Sequence, residues 1–188
     1  GQPNWSVLNY FTILSNLLCF VYFVIDIGLL TKNYAKGNTT WHPALKGISM
    51  MSITVTMLVF HFMLDFNFSM GSAFGTSIFT THYVVPIMVI LDWLLWEQKG
   101  NMKVTSPLLW AIAPLVYFAY AMIAAQLGDG IGHNSRYPYP FMDVDAIGLG
   151  KVLFTVLIMV TVFIALGYLY VLADHLLKKL RKPGLIAD

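Results

Sequence analysis

The sequence predicts an all-α protein, a polytopic transmembrane helix bundle forming a single helical domain over residues 1–188. Three observations predict it. Hydrophobic residues make up 58% of the chain and charged ones only 11%, whereas a soluble domain carries roughly 25% charged residues to cover its surface. Five apolar runs reach the ~20 residues that a helix needs to cross a bilayer. Basic residues collect in alternate connections, as the positive-inside rule requires of a multi-pass protein.

The runs cover approximately residues 7–31, 46–66, 75–97, 104–127 and 149–177. The connection after the first carries Lys32, Lys36 and Lys46, the third carries Lys99 and Lys103, and the tail carries Lys178, Lys179, Arg181 and Lys182. Residues 67–74 have no charge, and residues 128–148 set Arg136 against Asp129, Asp143 and Asp145. The C-terminus is therefore expected in the cytoplasm and Gly1 outside. Trp5, Trp41, Trp93, Trp96 and Trp110 fall near expected interfaces, where indole rings prefer to sit. Pro86 and Pro114 lie inside the third and fourth runs and mark kinks, which in membrane helices often border a cavity. Basic residues separated by apolar runs form no nucleic-acid face. The single Cys19 sits in an apolar run as a small packing residue and cannot form an intrachain disulfide. Residues 1–5 carry no cleavable signal pattern.

Depth along each run can be counted at ~1.5 Å per residue. On that count Thr12, His61 and His82 each lie ~8–10 Å below the outer end of their helix, at one level on three helices. Residues 128–148 lie on the same side. A polar group at that depth needs a partner or a task, because unpaired polar atoms are costly in lipid. Asp26 and Asp92 lie ~15–21 Å deeper than Thr12 and His82 and read as interfacial carboxylates near Lys32 and Lys99.

Thr12, Ser15, Asn16 and Cys19 share one helix face by spacing. A hydroxyl there bonds back to its own helix or, if a base takes its proton, becomes a nucleophile. His82, neutral in an apolar site, is the base candidate; its plainer role is that of a structural hydrogen-bond partner. Ser15, Asn16 and His61 are candidates for the group that stabilises an oxyanion, and Asn16 for a bond between helices. His61 and Asp65 are four residues apart, so the carboxylate can orient the imidazole or simply form a solvated pair with it. Tyr137-Pro138-Tyr139-Pro140-Phe141 is too rich in proline for a helix and too aromatic for a free linker, and is expected to fold over the site as a lid or substrate-facing wall.

Phe11-Thr12 with Ser15-Asn16, the His82 and Pro86 pair, and the Tyr-Pro-Tyr-Pro-Phe run together resemble the androgen-induced and androgen-dependent membrane hydrolases, most closely their bacterial six-pass relatives. The resemblance spans most of the chain but rests on three short motifs. It implies a threonine hydrolase that cleaves fatty-acid esters of hydroxy fatty acids, with Thr12 as nucleophile and His82 as its histidine. It implies a membrane lipid or fatty-acid ester as partner, a bacterial plasma membrane as location, and a sixth helix preceding the first run; no cofactor and no metal are expected. Competing readings are a non-catalytic lipid-binding protein or small transporter, and, behind both, a haem protein ligated by His61 and His82.

Overall fold

The computed structural model describes residues 5–32, 42–64, 71–128, 131–132 and 135–180. A 3-10 turn over Trp5–Asn9 leads into α1 (Phe11–Lys32), and α2 covers Pro43–Met63. The third run consists of α3 (Ala73–Phe79), a π-helical turn (Thr80–Val84) and α4 (Val85–Trp96). The fourth is α5 (Ser106–Trp110) and α6 (Ile112–Leu127); a 3-10 turn (Pro140–Met142) and α7 (Val144–Ile147) then precede α8 (Leu149–Leu180). Among the described residues five helices are long and apolar enough to cross a membrane, and the protein is an all-α bundle.

Local chemistry sets the helix ends. Pro43 opens α2 with φ already suited to a first turn, and His42 caps it by accepting the Leu45 N–H on Nδ1 at 3.2 Å. Ser72 caps α3 by accepting the Gly75 N–H at 2.9 Å. The prolines explain the interruptions. Pro114 has no N–H to give the carbonyl of Trp110 and crowds it, and the fourth run breaks at Ala111. Pro86 does the same to the third run, which absorbs it as the π turn, with the Val85 N–H bonded to the Thr80 carbonyl.

The bundle is inverted relative to a soluble protein. Its exposed side chains include Phe20, Ile27, Met88, Val116, Leu157 and Leu169, while Ser15, Ser49, Ser52, Thr54, Thr56, His82 and Asp174 are buried. A water-facing surface would reverse this distribution; a lipid-facing one requires it. α2 is the central post, the one helix of the five that is mostly buried, and it packs against α1, α4 and α5. Gly47 makes this possible where α2 meets α5, because a Cβ there would lie 2.2 Å from Nε1 of Trp110. Gly167 does likewise on α8, where a Cβ would lie 2.7 Å from Cβ of Pro107. Small residues at such crossings let membrane helices approach closely.

Several expectations need correction at the end of the bundle where α2 begins. Lys46 belongs to the first turn of α2 rather than to a loop, and it is buried with its ammonium on the carboxylates of both Asp92 and Glu97. Asp92 is thus a partner of Lys46 rather than of Lys99, and Asp26 is buried in the same neighbourhood, close enough to act on Glu97. Burial pushes the Glu97 carboxyl upward, and the Lys46 ammonium opposes that shift. Lys99 donates to the Trp93 and Glu97 carbonyls and lies 4.5 Å from the centre of the Trp93 ring. Asp174 is buried and accepts the N–H groups of Gly100 and Met102 at 2.8 and 3.0 Å, pinning the 100–102 turn to α8. Trp93 and Trp110 are core residues, with only Trp96 of the three strongly exposed. Charged and aromatic residues near a helix end look alike in sequence whether they turn toward lipid headgroups or into the bundle.

Candidate active site

The π turn determines how the site is assembled. Thr81 loses its α-helical donor because the Val85 N–H goes to Thr80, and the next residue able to serve it is Pro86, which has no N–H. The Asn16 side-chain amide donates to that Thr81 carbonyl at 3.1 Å, and to the Thr12 carbonyl at 2.7 Å. One side chain therefore fastens the first turn of α1 to the π turn. His82, next to Thr81, is held against Thr12 by this clamp.

Thr12 Oγ1 lies 3.2 Å from His82 Nε2. On the other side of the ring, His82 Nδ1 lies 2.9 Å from the Ile78 carbonyl, an oxygen that can only accept. Nδ1 therefore carries the proton, and Nε2 presents its lone pair to the Thr12 hydroxyl. The hydrogen positions are assigned from this network. Thr81 Oγ1 is a second neighbour of Nδ1 at 3.2 Å and itself donates to the Ser77 carbonyl at 2.9 Å. Phe60 stacks on the imidazole with ring centres 3.9 Å apart, fixing its plane. A hydroxyl, an oriented neutral base and a carbonyl that sets the tautomer form the arrangement by which Ser and Thr nucleophiles are activated.

The remaining sequence-predicted residues take other positions. Ser15 is buried, donates to the Thr12 carbonyl at 3.1 Å and shares a 2.8 Å hydrogen bond with Thr56. Ser15 and Asn16 thus spend their hydrogens on the carbonyls of Thr12 and Thr81 and on the Thr56 hydroxyl, which removes them as oxyanion donors. His61 shares the level of Thr12 but not its face. It follows Phe60 on α2, and successive helical positions are turned by ~100°, so the contact of Phe60 with His82 leaves His61 exposed, its Nδ1 3.2 Å from the Tyr83 hydroxyl. Its pairing with His82 as haem ligands fails too, since both nitrogens of His82 are engaged within the protein. Asp65 lies outside the described residues.

Of the aromatic run, Tyr139 and Phe141 line an apolar cavity together with Thr12, Phe11, Thr56, Phe60, Pro114 and Tyr117. Its free volume is about 70 Å³, space for a few methylene groups. Tyr137 and Pro138 are buried and Pro140 is exposed, and none of the three lines that cavity. Tyr137 anchors the loop: its hydroxyl accepts from Gln126 Nε2 at 3.0 Å, and it belongs to one buried apolar cluster with Ala121 and Ala125 of α6. Asp143 braces the same loop, accepting from Ser135 Oγ at 2.6 Å and from the Ala146 N–H at 2.9 Å, and the Ser135 bond leads in holding its carboxyl below the usual range.

A second apolar hollow of about 560 Å³ runs between α1, α2 and α5–α6. It shares Phe11 and Tyr117 with the first and is lined by Leu14, Ile112 and Val116. Its size falls within the ~300–1,000 Å³ of ordinary ligand sites.

Sequence reasoning did not foresee Phe60, Tyr117 or the Ile78 carbonyl as parts of the site. Tyr117 donates to the Asn9 carbonyl at 2.8 Å and Tyr120 to Asn9 Oδ1 at 2.9 Å, which anchors the start of α1 to α6. The available signal was tyrosine in an otherwise apolar run, since a buried phenol needs a partner. No protein-family model matches this chain, and neither a curated protein nor a solved structure matches it.

Proposed function

We propose that this protein is an integral-membrane lipid-ester hydrolase with Thr12 as nucleophile and His82 as general base. The observation that carries the reading is the 3.2 Å approach of Thr12 Oγ1 to the unprotonated nitrogen of His82, with Nδ1 committed to Ile78. The substrate is a fatty-acid ester of the kind formed on hydroxy fatty acids, its acyl chain lying in the hollow that adjoins Phe11 and Tyr117. Thr12 Oγ bonds to the ester carbonyl carbon as its proton passes to His82 Nε2. The carbon–alkoxy bond then breaks, and His82 returns the proton to the departing alcohol. Water attacks the resulting threonyl ester, gives its proton to His82, and the acid leaves as Thr12 regains its hydrogen. The charge of its loops supports a C-terminus in the cytoplasm and a site toward the outer face, and the resemblance to bacterial six-pass proteins supports a bacterial plasma membrane.

The 560 Å³ hollow also supports a second reading, a lipid-binding protein or small transporter without turnover. Hydrolysis of long-chain chromogenic esters and of a branched fatty-acid ester by the purified protein in detergent separates the two. Thr12→Ala is expected to abolish turnover at unchanged melting temperature, and His82→Ala to lower it by about 10²–10⁴-fold with some loss of stability, since it removes the buried ring stacked on Phe60. Turnover equal in mutant and parent would rule out the pair. Absence of turnover in the parent, with lipid binding retained in Thr12→Ala, would favour the binding reading.

A further inference from the structure

The site as described lacks an oxyanion donor, because Ser15, Asn16 and His61 are spent elsewhere. The geometry points to Tyr139 as that catalytic residue, its phenol O–H donating to the oxyanion that forms when Thr12 attacks an ester. The assignment rests on the Thr12–His82 reading above.

Four observations support it. The Tyr139 side chain lines the cavity that contains Thr12. The other hydroxyls that line it beside Thr12 are committed, Thr56 to the Ser52 carbonyl at 3.1 Å and Tyr117 to the Asn9 carbonyl at 2.8 Å. Phe11 and Thr12, on the same cavity, open α1, where backbone N–H groups have no acceptor within the helix. The Thr12 hydroxyl has one hydrogen and directs it at His82, so toward Tyr139 it can only accept. Among the described residues that line the cavity, Tyr139 thus has the one hydroxyl not already given to a carbonyl or to His82.

The Tyr139 hydrogen is therefore available in the cavity where Thr12 Oγ1 forms the new carbon–oxygen bond. The oxyanion develops on the attacked carbon, two bonds from that oxygen, and the phenol O–H donates to it there. Tyr139 keeps its proton throughout; burial pushes its phenol above the ordinary range, which maintains the donor form. The start of α1 adds the positive end of a helix dipole to the same place. The ring is held by Tyr10 and Tyr117, whose centres lie 6.0 and 6.3 Å away, and by stacking on Phe141 at 5.3 Å.

Steady-state kinetics of Tyr139→Phe with a long-chain ester test the assignment, alongside inhibition by a long-chain alkyl trifluoromethyl ketone, which forms a tetrahedral adduct on Thr12. The expected result is a kcat lower by about 10²–10³-fold, KM within about threefold, and ketone affinity reduced in step with kcat/KM. A fluorinated tyrosine at position 139 is the second variant and preserves packing if the phenylalanine does not fold. Its lower phenol pKa is expected to bring the loss of activity at high pH to a lower pH than in the parent. Parent-like kcat and ketone affinity in Tyr139→Phe, or an unmoved pH profile with the fluorinated residue, overturns the role of Tyr139 while leaving Thr12 and His82 in place. A parent protein without turnover overturns both.

Discussion

The Asn16 side-chain amide donates to the Thr81 carbonyl at 3.1 Å, across the contact between α1 and the π turn, while its second hydrogen goes to the Thr12 carbonyl at 2.7 Å. A carbonyl made available by Pro86 is thereby matched to a donor on another helix, and the match sets the distance between nucleophile and base. Asn16 touches neither reacting atom. It is a positioning residue.

Replacing Asn16 by Leu removes both donors and leaves the Thr81 carbonyl unpaired in the bundle. Hydrogen bonds between membrane helices contribute about 0.6–1.7 kcal/mol, so a loss of roughly that size is expected in reversible unfolding. Turnover should fall by more than the stability does, because Thr12 and His82 then drift apart. A comparison of kcat, KM and melting temperature checks this. A melting-temperature drop with kcat intact would make Asn16 a structural tie only.

Pro86→Ala restores an N–H to the third run and removes the reason for the π turn. In water a proline inside a helix costs about 3 kcal/mol, and the variant is expected to melt at the same temperature as the parent or higher. Activity should nevertheless fall at least about tenfold, since relaxing the turn rotates His82 by a large part of the ~100° between helical positions. A variant that gains stability and keeps parental kcat would mean the π turn has no part in placing the base.

Lys46 lies at the other end of the bundle, buried against Asp92 and Glu97. Lys46→Ala leaves two carboxylates without their cation, and breaking such a buried pair typically costs about 3–5 kcal/mol. Combining Lys46→Met with Asp92→Asn and Glu97→Gln removes the charges together and is expected to recover most of that loss. The measurement is unfolding by denaturant in detergent for the single and triple variants. Because this cluster is remote from Thr12, kcat of the folded fraction should remain within about twofold of the parent in both. A single variant as stable as the parent would show that the pairs contribute nothing net, as exposed pairs often do.

Residues in the aromatic loop show how far a linear reading reaches into the site. The Tyr-Pro-Tyr-Pro-Phe run announces itself by composition, yet only Tyr139 and Phe141 line the cavity. Their neighbours anchor the loop through Gln126 and α6. Alternation along an irregular loop follows no fixed period, so the inward-facing members cannot be counted out.

Hydropathy and composition alone suffice for the number of crossings and their approximate ends, because a bilayer selects ~20 apolar residues per helix whatever their neighbours. Depth is equally accessible, since rise per residue is constant, and it set Thr12 and His82 at one level. Azimuth is not accessible in this way. Which face of α2 meets the third run, and hence why Phe60 turns inward and His61 outward, depends on packing among helices far apart in sequence. So does the partner of Lys46, which lies 46 and 51 residues further along the chain. The π turn adds a rotation that no regular period anticipates, because it arises where Pro86 withholds a single hydrogen and Asn16, 65 residues earlier, supplies one.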